Sequence, residues 1–306
     1  MQQPNPVLRR LGFADDDRVA IIHTDDIGMC LASVMAFAGL WDYGLISSGA
    51  VMVPCPWFLK AAEYAREHPA ADLGVHVTLT AEYQRYRWGP ISTRDPQSGM
   101  IDEEGCFYHR AQPAREHGDP ASVQAEIEAQ VLRAFAAGMQ PTHMDTHMGV
   151  VASHKFIRGF LQVALQHHLP PMVFRMDEAG WMGAGLDAQA AAVAVAVTRQ
   201  LEALGLPLLD HLFGLDLGKP DDRLDQAKAA ITALQPGITH FILHPSVDYP
   251  ELREITPDWR ARVADYQTFL SEDLRSHLQA SGVQVIGYRH LQEIMLPPAA
   301  FADLPW

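Results

Sequence analysis

Short apolar runs alternate with helical patterns along almost the whole chain, and this alternation restricts the fold more than any other feature. Residues 18–22, 48–53 and 72–80 are apolar runs that predict buried strands, whereas 31–43 and 58–68 have the apolar spacing of helices. Further strands are predicted downstream within 140–149, 171–175, 208–213, 238–244 and 283–288. The helices predicted between them are 120–138, 154–168, 188–204, 224–234 and 257–281. Strands joined in this way form a parallel sheet covered by helices.

The number of these units predicts how the sheet is arranged. Seven or eight strand–helix units fit into the 306 residues, and no Gly/Ser-rich or Pro-rich linker interrupts them. The predicted fold class is therefore α/β: a single TIM-barrel-like (β/α) barrel, distorted or incomplete, that forms one domain over residues 1–306.

One segment departs from the alternation. Residues 81–118 are rich in Arg, Gly, Pro and aromatic side chains, including Tyr83, Trp88 and Phe107. Long irregular insertions in compact α/β domains are usually functional, and exposed aromatic rings can stack on sugars. We therefore expect this insertion to form a lid or a substrate wall, with a merely peripheral loop as the alternative.

The charge of the chain argues against two classes of binding partner. The 37 acidic and 23 basic residues give a formal net charge of −14, which disfavours binding to nucleic acid or to an anionic membrane surface. The sequence contains no apolar run of about 18 residues, so it predicts no membrane-spanning helix. Three cysteines without a CxxC spacing fit a reduced, cytoplasmic protein. The oligomeric state stays open, with a homodimer as one arrangement.

Two adjacent carboxylates, Asp25 and Asp26, follow the first predicted strand and precede Gly28. Neighbouring Asp side chains repel each other, so the pKa of one of them should rise unless a cation compensates. A bound metal ion is such a cation, with one Asp as its ligand and the other as a base. The alternative is that the pair caps the helix that starts near Met29.

Titratable or charged residues at the ends of the other predicted strands favour the metal site. They are His76, His143, Asp145, His147, Arg175, Asp210, His211 and His244. The C-terminal ends of the strands of a (β/α) barrel meet at one face, where functional groups collect. If these positions served only packing or capping, Ser, Thr, Asn and Gly would occur there as often as Asp, His and Arg. Together the residues predict a mononuclear metal site with a catalytic acid and a base.

The residue types indicate which chemistry such a site supports. Imidazole and carboxylate groups suit Zn²⁺ and other borderline divalent ions, and the lack of Cys argues against a structural zinc site. Asp26, His76 and His147 can supply three ligands and leave a position for water, whose pKa a bound ion lowers.

The remaining strand-end residues can supply the acid and the base. Asp25 can deprotonate the water, and His244, on a strand across the barrel, can protonate the leaving group. Arg175 can orient Asp25 and keep it ionised.

Four stretches resemble, in order, the motifs of the YdjC-like carbohydrate deacetylase family, which includes the chitooligosaccharide deacetylases: Thr24-Asp25-Asp26-Ile27-Gly28, Gly74-Val75-His76-Val77-Thr78-Leu79-Thr80, Pro141-Thr142-His143-Met144-Asp145-Thr146-His147 and Leu243-His244-Pro245. The resemblance spans about residues 19–291. It implies a distorted (β/α) barrel, one divalent ion (Mg²⁺ or Zn²⁺) bound by one Asp and two His, and hydrolysis of N-acetyl groups on sugars. It also implies that the second Asp of the pair, Asp26, is the ligand and that Asp25 is the base.

Two details leave alternatives open. Many members of the family continue the third motif as His-Gln-His, whereas this chain has His147-Met148-Gly149, so a sugar other than a chitooligosaccharide is a plausible substrate. His143 lies four residues before His147. On a regular strand the two are about 13 Å apart, so His143 can bind the same ion only if the chain turns between them.

The predicted function is therefore metal-dependent removal of an N-acetyl group from a small carbohydrate. The first alternative is a hydrolase that uses the same site on a non-sugar amide or a phosphoester. The second is a barrel that binds a carbohydrate without turning it over, which would hold little metal.

Overall fold

A seven-stranded parallel sheet runs through the computed structural model, which describes residues 3–183 and 186–302. The strands are β1 (Arg18–Ile27), β2 (Ser48–Val51), β3 (Leu73–Val77), β4 (Met144–Thr146), β5 (His211–Gly214), β6 (Gly237–Leu243) and β7 (Gln284–Val285). Their order is β4-β3-β2-β1-β6-β5, and β7 pairs with the beginning of β1. β1 is central, and all of its residues except Arg18 are buried.

Thirteen α-helices occur in the described ranges, and most of them cover the outside of the sheet. They are α1 (Pro6–Arg10), α2 (Leu31–Tyr43), α3 (Phe58–Glu67), α4 (Ala111–His117), α5 (Pro120–Ala136), α6 (Ile157–Gln166), α7 (Glu178–Gly183), α8 (Ala188–Ala203), α9 (Arg223–Ala233), α10 (Pro250–Ile255), α11 (Trp259–Phe269), α12 (Glu272–Ser281) and α13 (Tyr288–Ile294). α2 ends where the sequence predicts, because Gly44 adopts φ +83° and donates its N–H to the Leu40 carbonyl. None of the helices within these ranges is both long and apolar enough to cross a membrane.

Irregular segments continue the sheet on its far side. Single parallel bridges join Met144 to Pro171 and Phe174 to Leu209, and the Asp210 N–H donates to the Ile238 carbonyl at 2.9 Å. The prediction of a regular strand at 171–175 is therefore wrong, because only isolated bridges form there. Pro171 has no N–H to donate to a neighbouring strand. The parallel sheet curls into an incomplete barrel, which confirms the predicted fold class.

Two other boundaries differ from the predictions. The helix expected over 257–281 is two helices, because Ser271 is extended (ψ 130°) and begins α12 ahead of two acidic residues. The last strand ends at Val285 instead of residue 288, and Tyr288 begins α13.

The insertion at 81–118 packs against the barrel. Tyr83, Trp88 and Phe107 are buried, and the Trp88 Nε1–H donates to the Thr80 carbonyl at 2.7 Å. The expected wall of exposed rings is therefore wrong for these three residues, because their apolar surface is part of the core.

Candidate metal centre

The end of β1 has an irregular backbone that explains how two successive Asp side chains reach one place. Thr24 pairs with Gly49 of β2, but Ile27 pairs with Val51, so β1 contains one extra residue between these pairs. Side chains on a regular strand alternate between faces, and a bulge removes this alternation. Asp26 has φ +61°, a strained conformation that Asp tolerates better than most residues. As a result, carboxylate oxygens of Asp25 and Asp26 lie 3.8 and 3.5 Å from the same atom, His76 Nε2.

The three predicted metal ligands come together in the barrel interior. Asp26 lies at the end of β1, His76 is in β3, and His147 directly follows β4. All three are buried, and each offers one ligand atom within 4.8 Å of the other two. Asp26 Oδ1 lies 3.0 Å from His147 Nδ1 and 3.5 Å from His76 Nε2.

The hydrogen bonding of Asp26 shows that this set fits a cation. Among the described residues, none makes a hydrogen bond of acceptable geometry to the buried Asp26 Oδ1, and an unsatisfied buried carboxylate oxygen is costly. One carboxylate oxygen and two imidazole nitrogens form a ligand set suited to a borderline divalent ion and leave room for water or substrate.

Each of the three ligands is held on its other side by a second polar group. His76 Nδ1 lies 2.8 Å from Asp145 Oδ1, and His147 Nε2 lies 3.0 Å from Glu82 Oε2. Carboxylates in this position fix the tautomer and the ring orientation of a metal-binding histidine.

Asp26 Oδ2, in turn, accepts a hydrogen bond at 2.7 Å from the Arg262 guanidinium of α11. Nothing in the helical spacing of α11 marks Arg262 in the sequence as a residue of this site. Arg262 is buried and also donates to Asp258 at 2.8 Å. It thus ties the candidate metal ligand to a helix on the outside of the sheet.

These contacts determine the charge of the candidate ligands. Burial would raise the pKa of Asp26, but the positive Arg262, followed by His147, holds it well below its usual range. Burial lowers the pKa of His147, but the carboxylates of Glu82 and Asp26 outweigh this effect and raise it to about 9. The Asp26 carboxylate is therefore ionised, whereas His147 is protonated at neutral pH and would have to release a proton to bind a cation.

Asp25 lies beside this group and contacts three imidazoles. Its Oδ1 is 2.7 Å from His23 Nδ1, and its Oδ2 is 3.8 Å from His76 Nε2 and 3.9 Å from His244 Nε2. Burial raises the pKa of Asp25, but His76, followed by His23 and His244, lowers it below its usual range. His244 is 22% exposed and directly follows β6, which pairs with β1. The predicted acid therefore lies on the neighbouring strand, and the prediction that it lies across the barrel is wrong.

Arg175 and His143 have other partners in the described structure. Arg175 pairs with Asp210 at 2.9 Å and with Glu202, whereas the described ion-pair partners of Asp25 are all histidines. The structure thus does not bring Arg175 to Asp25. The group on Asp25 Oδ1 is instead His23, which lies within the first predicted strand region and was not among the predicted site residues. His143 Nε2 contacts His23 Nε2 at 2.9 Å, and His143 does not belong to the three-residue ligand group.

Replacing Glu82 by Ala is expected to weaken metal binding by about 10–100-fold, because His147 would lose the carboxylate that orients its ring. The measurement is metal titration of the purified variant. The control is Glu103→Ala, which removes an exposed carboxylate from the same insertion and should leave the affinity unchanged. Equal affinities of the two variants would contradict the role of Glu82.

Comparisons with known proteins point to one family. The family model for YdjC-like proteins matches residues 19–280. A carbohydrate deacetylase of Thermus thermophilus is 30% identical, with 88% of this chain and 92% of the relative covered. A carbohydrate deacetylase of Thermoanaerobacter pseudethanolicus is 22% identical, with 89% and 98% covered.

A solved structure is also similar. It is that of an Enterococcus faecalis protein named for cellobiose-phosphate cleavage, with a TM-score of 0.71, 21% identity, and 90% of this chain and 99% of that chain covered. At this identity the likeness shows the fold alone. The match over residues 19–280 and the 30% identity to the Thermus protein show the family: this chain belongs to the YdjC-like proteins.

Proposed function

We propose that this protein is a metal-dependent carbohydrate deacetylase, which hydrolyses an N-acetyl group on a sugar. The observation that carries the proposal is the buried convergence of Asp26 Oδ1 with two imidazole nitrogens 3.0 and 3.5 Å away. The two relatives named carbohydrate deacetylases support the type of substrate.

Asp26, His76 and His147 would hold the ion. Polarisation of the acetyl carbonyl and acidification of water are the chemistry that a divalent ion supplies in such a site. The two imidazole ligands favour Zn²⁺ or another borderline ion over Mg²⁺, which prefers oxygen ligands.

The adjacent residues would carry the protons. Asp25 is ionised and accepts a proton from the attacking water, while the His23 N–H holds its other oxygen in place. His244 gives a proton to the leaving nitrogen, so that the amine departs as a neutral group. The 3.9 Å between His244 Nε2 and Asp25 Oδ2 supports this pair of roles, because both groups can then reach the same substrate.

The surroundings of the site favour an uncharged or cationic sugar. Glu82, beside His147, is an acidic group that is 20% exposed, and the chain carries a net charge of −14. Met148, which departs from the His-Gln-His motif of the family that the sequence resembles, is exposed and has φ +51°. We therefore expect a sugar without a phosphate group and different from chitooligosaccharides.

The test combines metal analysis with acetate release. We expect about one divalent ion per chain, acetate release from at least one N-acetylated sugar, loss of release after chelation and recovery on adding Zn²⁺. Phosphoesters and non-sugar acetamides serve as comparison substrates. Release of phosphate without acetate, or turnover that persists after complete metal removal, would contradict the proposal. Sugar binding without turnover would indicate a non-catalytic barrel instead.

A further inference from the structure

The segment that carries His244 is bonded to helix α11 through its backbone. The His244 N–H donates to Asp265 Oδ2 at 3.0 Å, and the Ser246 N–H donates to the Arg262 carbonyl at 3.1 Å. Pro245, between the two donors, has no N–H. Both backbone N–H groups of this short segment therefore bind to α11, and one of them binds to a side chain.

The strand ladder alone does not reach His244. The last paired residues of β1 and β6 are Thr24 and Leu243, and the bulge of β1 begins at that point. An N–H group left without an acceptor inside a protein is costly. The Asp265 carboxylate therefore takes the place of a strand partner for His244.

The two nitrogens of the His244 ring do not fix its position. Among the described residues, none makes a hydrogen bond of acceptable geometry to the buried Nδ1. Nε2 lies 3.9 Å from Asp25 Oδ2, which is longer than a hydrogen bond. The place of the ring thus depends on the backbone of His244, which Asp265 holds.

Asp265 is itself held from its other side. It is fully buried, and the Arg223 Nε–H donates to its Oδ1 at 2.6 Å, so its two oxygens have different partners. Arg223 is also buried, and its Nη1 donates to the carbonyls of Asp216 and Lys219 in the loop after β5. A buried carboxylate requires such a cation, because an unpaired buried charge is strongly unfavourable. The orientation of the Asp265 carboxylate is therefore fixed.

Helix α11 thus contacts two parts of the proposed machinery. Arg262 and Asp265 are three positions apart and both buried, so they lie on the same side of the helix. Arg262 donates to Asp26 Oδ2 at 2.7 Å, whereas Asp265 accepts from the His244 backbone. The helix therefore links the candidate metal ligand to the proposed acid.

We propose that Asp265 is a positioning residue for the proton donor. It holds the backbone of His244 at the place from which the His244 ring can protonate the leaving nitrogen, and Arg223 supports it by fixing the carboxylate. The effect on turnover rests on the proposed function, in which His244 is the acid. The contact between Asp265 and the His244 backbone does not.

Asp265→Asn tests the effect on turnover. The amide has one oxygen for two donors, so His244 loses its charged acceptor in either orientation of the amide. We expect kcat for acetate release from an N-acetylated sugar to fall about 10–100-fold, because small displacements of a reacting group have effects of this size. KM and the metal content should stay at the wild-type level. An unchanged kcat would overturn the proposal.

The matched control is Glu126→Gln. Glu126 is a buried carboxylate of α5 that accepts from the backbone N–H groups of Ile91 and Ser92, so the substitution disturbs a similar contact in another part of the chain. It should leave kcat unchanged. An equal loss of kcat in Asp265→Asn and Glu126→Gln would show a general effect on the fold and would overturn the proposal.

The leaving group separates a misplaced acid from a damaged site. 4-Nitrophenyl acetate releases 4-nitrophenolate, which departs without taking up a proton. Asp265→Asn should therefore hydrolyse this ester at the wild-type rate, although it is slow on the sugar. Equal losses on both substrates would overturn the proposal. Asp265→Glu keeps the charge beside Arg223 and moves the acceptor by one methylene, so it provides the same comparison if Asp265→Asn does not fold.

A double variant tests whether Asp265 acts through His244. In a His244→Gln background there is no acid to position, so Asp265→Asn should cause no further loss of kcat on the sugar. Losses that multiply in the double variant would overturn the proposal.

Amide hydrogen exchange tests the contact without any substrate. The His244 amide should exchange about tenfold faster in Asp265→Asn than in the wild type, because it loses a charged acceptor. The Phe241 amide, inside β6, should exchange at the same rate in both proteins. Equal exchange of the His244 amide in both would overturn the proposal. If no acetylated sugar is hydrolysed, the proposed function fails, but the exchange of the His244 amide still decides whether Asp265 holds this segment.

Discussion

Replacing Asp25 by Asn is expected to lower kcat for acetate release by about 10²–10⁴-fold, the usual contribution of a general base. Asn has the shape of Asp and an oxygen that can accept from the His23 N–H, which lies 2.7 Å from Asp25 Oδ1. However, it cannot take a proton from water. The metal content should stay at the wild-type level, because Asp26, His76 and His147 are unchanged. Steady-state kinetics and elemental analysis of the same preparation provide the measurement.

The control for this variant is Asp42→Asn, which makes the same substitution at an exposed position of α2 and should leave both quantities unchanged. Turnover of Asp25→Asn within a few-fold of the wild type would show that Asp25 is not the base. Loss of metal together with turnover would show instead that Asp25 is a ligand and that the roles of Asp25 and Asp26 are exchanged.

The sequence predicts the place of the site because parallel strands end at a common face. Asp26, His76 and His147 come from three segments far apart in the chain, yet each lies at or near the C-terminal end of a predicted strand. That rule alone brings them together. It does not predict the bulge at the end of β1, which depends on the pairing of Thr24 and Ile27 with β2. Strict alternation would place Asp25 and Asp26 on opposite faces.

The contacts that hold the site were harder to predict, because they join residues that no local pattern relates. Arg175 lies at the end of a predicted strand, and the sequence predicts that it forms an ion pair with Asp25. Its described partners include Asp210 and Glu202. The arginine that does contact the Asp pair is Arg262, which lies 236 positions after Asp26 and donates to the Asp26 carboxylate. In the sequence, Arg262 resembles any charged residue on a surface helix. The rings of the 81–118 insertion pose a similar problem, because composition does not show whether a ring faces solvent or the core.

The two oxygens of Asp26 have separate roles in this arrangement. Oδ2 accepts from Arg262, which also donates to Asp258, and Oδ1 faces His147 and His76, where a cation could bind. Arg262 thus neutralises part of the ligand charge and fixes which oxygen faces His76 and His147. Such a ligand binds a cation less tightly than an unpaired carboxylate would, but it is oriented before the cation arrives.

Replacing Asp26 by Asn is therefore expected to abolish both metal binding and turnover, because the amide supplies no negative charge to the ion. Thermal unfolding with and without Zn²⁺ measures this effect independently of any substrate. At a free metal concentration of about 100 times Kd, binding should stabilise the wild type by about 2.7 kcal/mol, and it should not stabilise Asp26→Asn. Asp42→Asn should respond to Zn²⁺ as the wild type does. If Asp26→Asn keeps the full stabilisation, the cation does not bind to Asp26, His76 and His147, and the group formed by His23, Asp25, Asp145 and His240 becomes the metal site to examine.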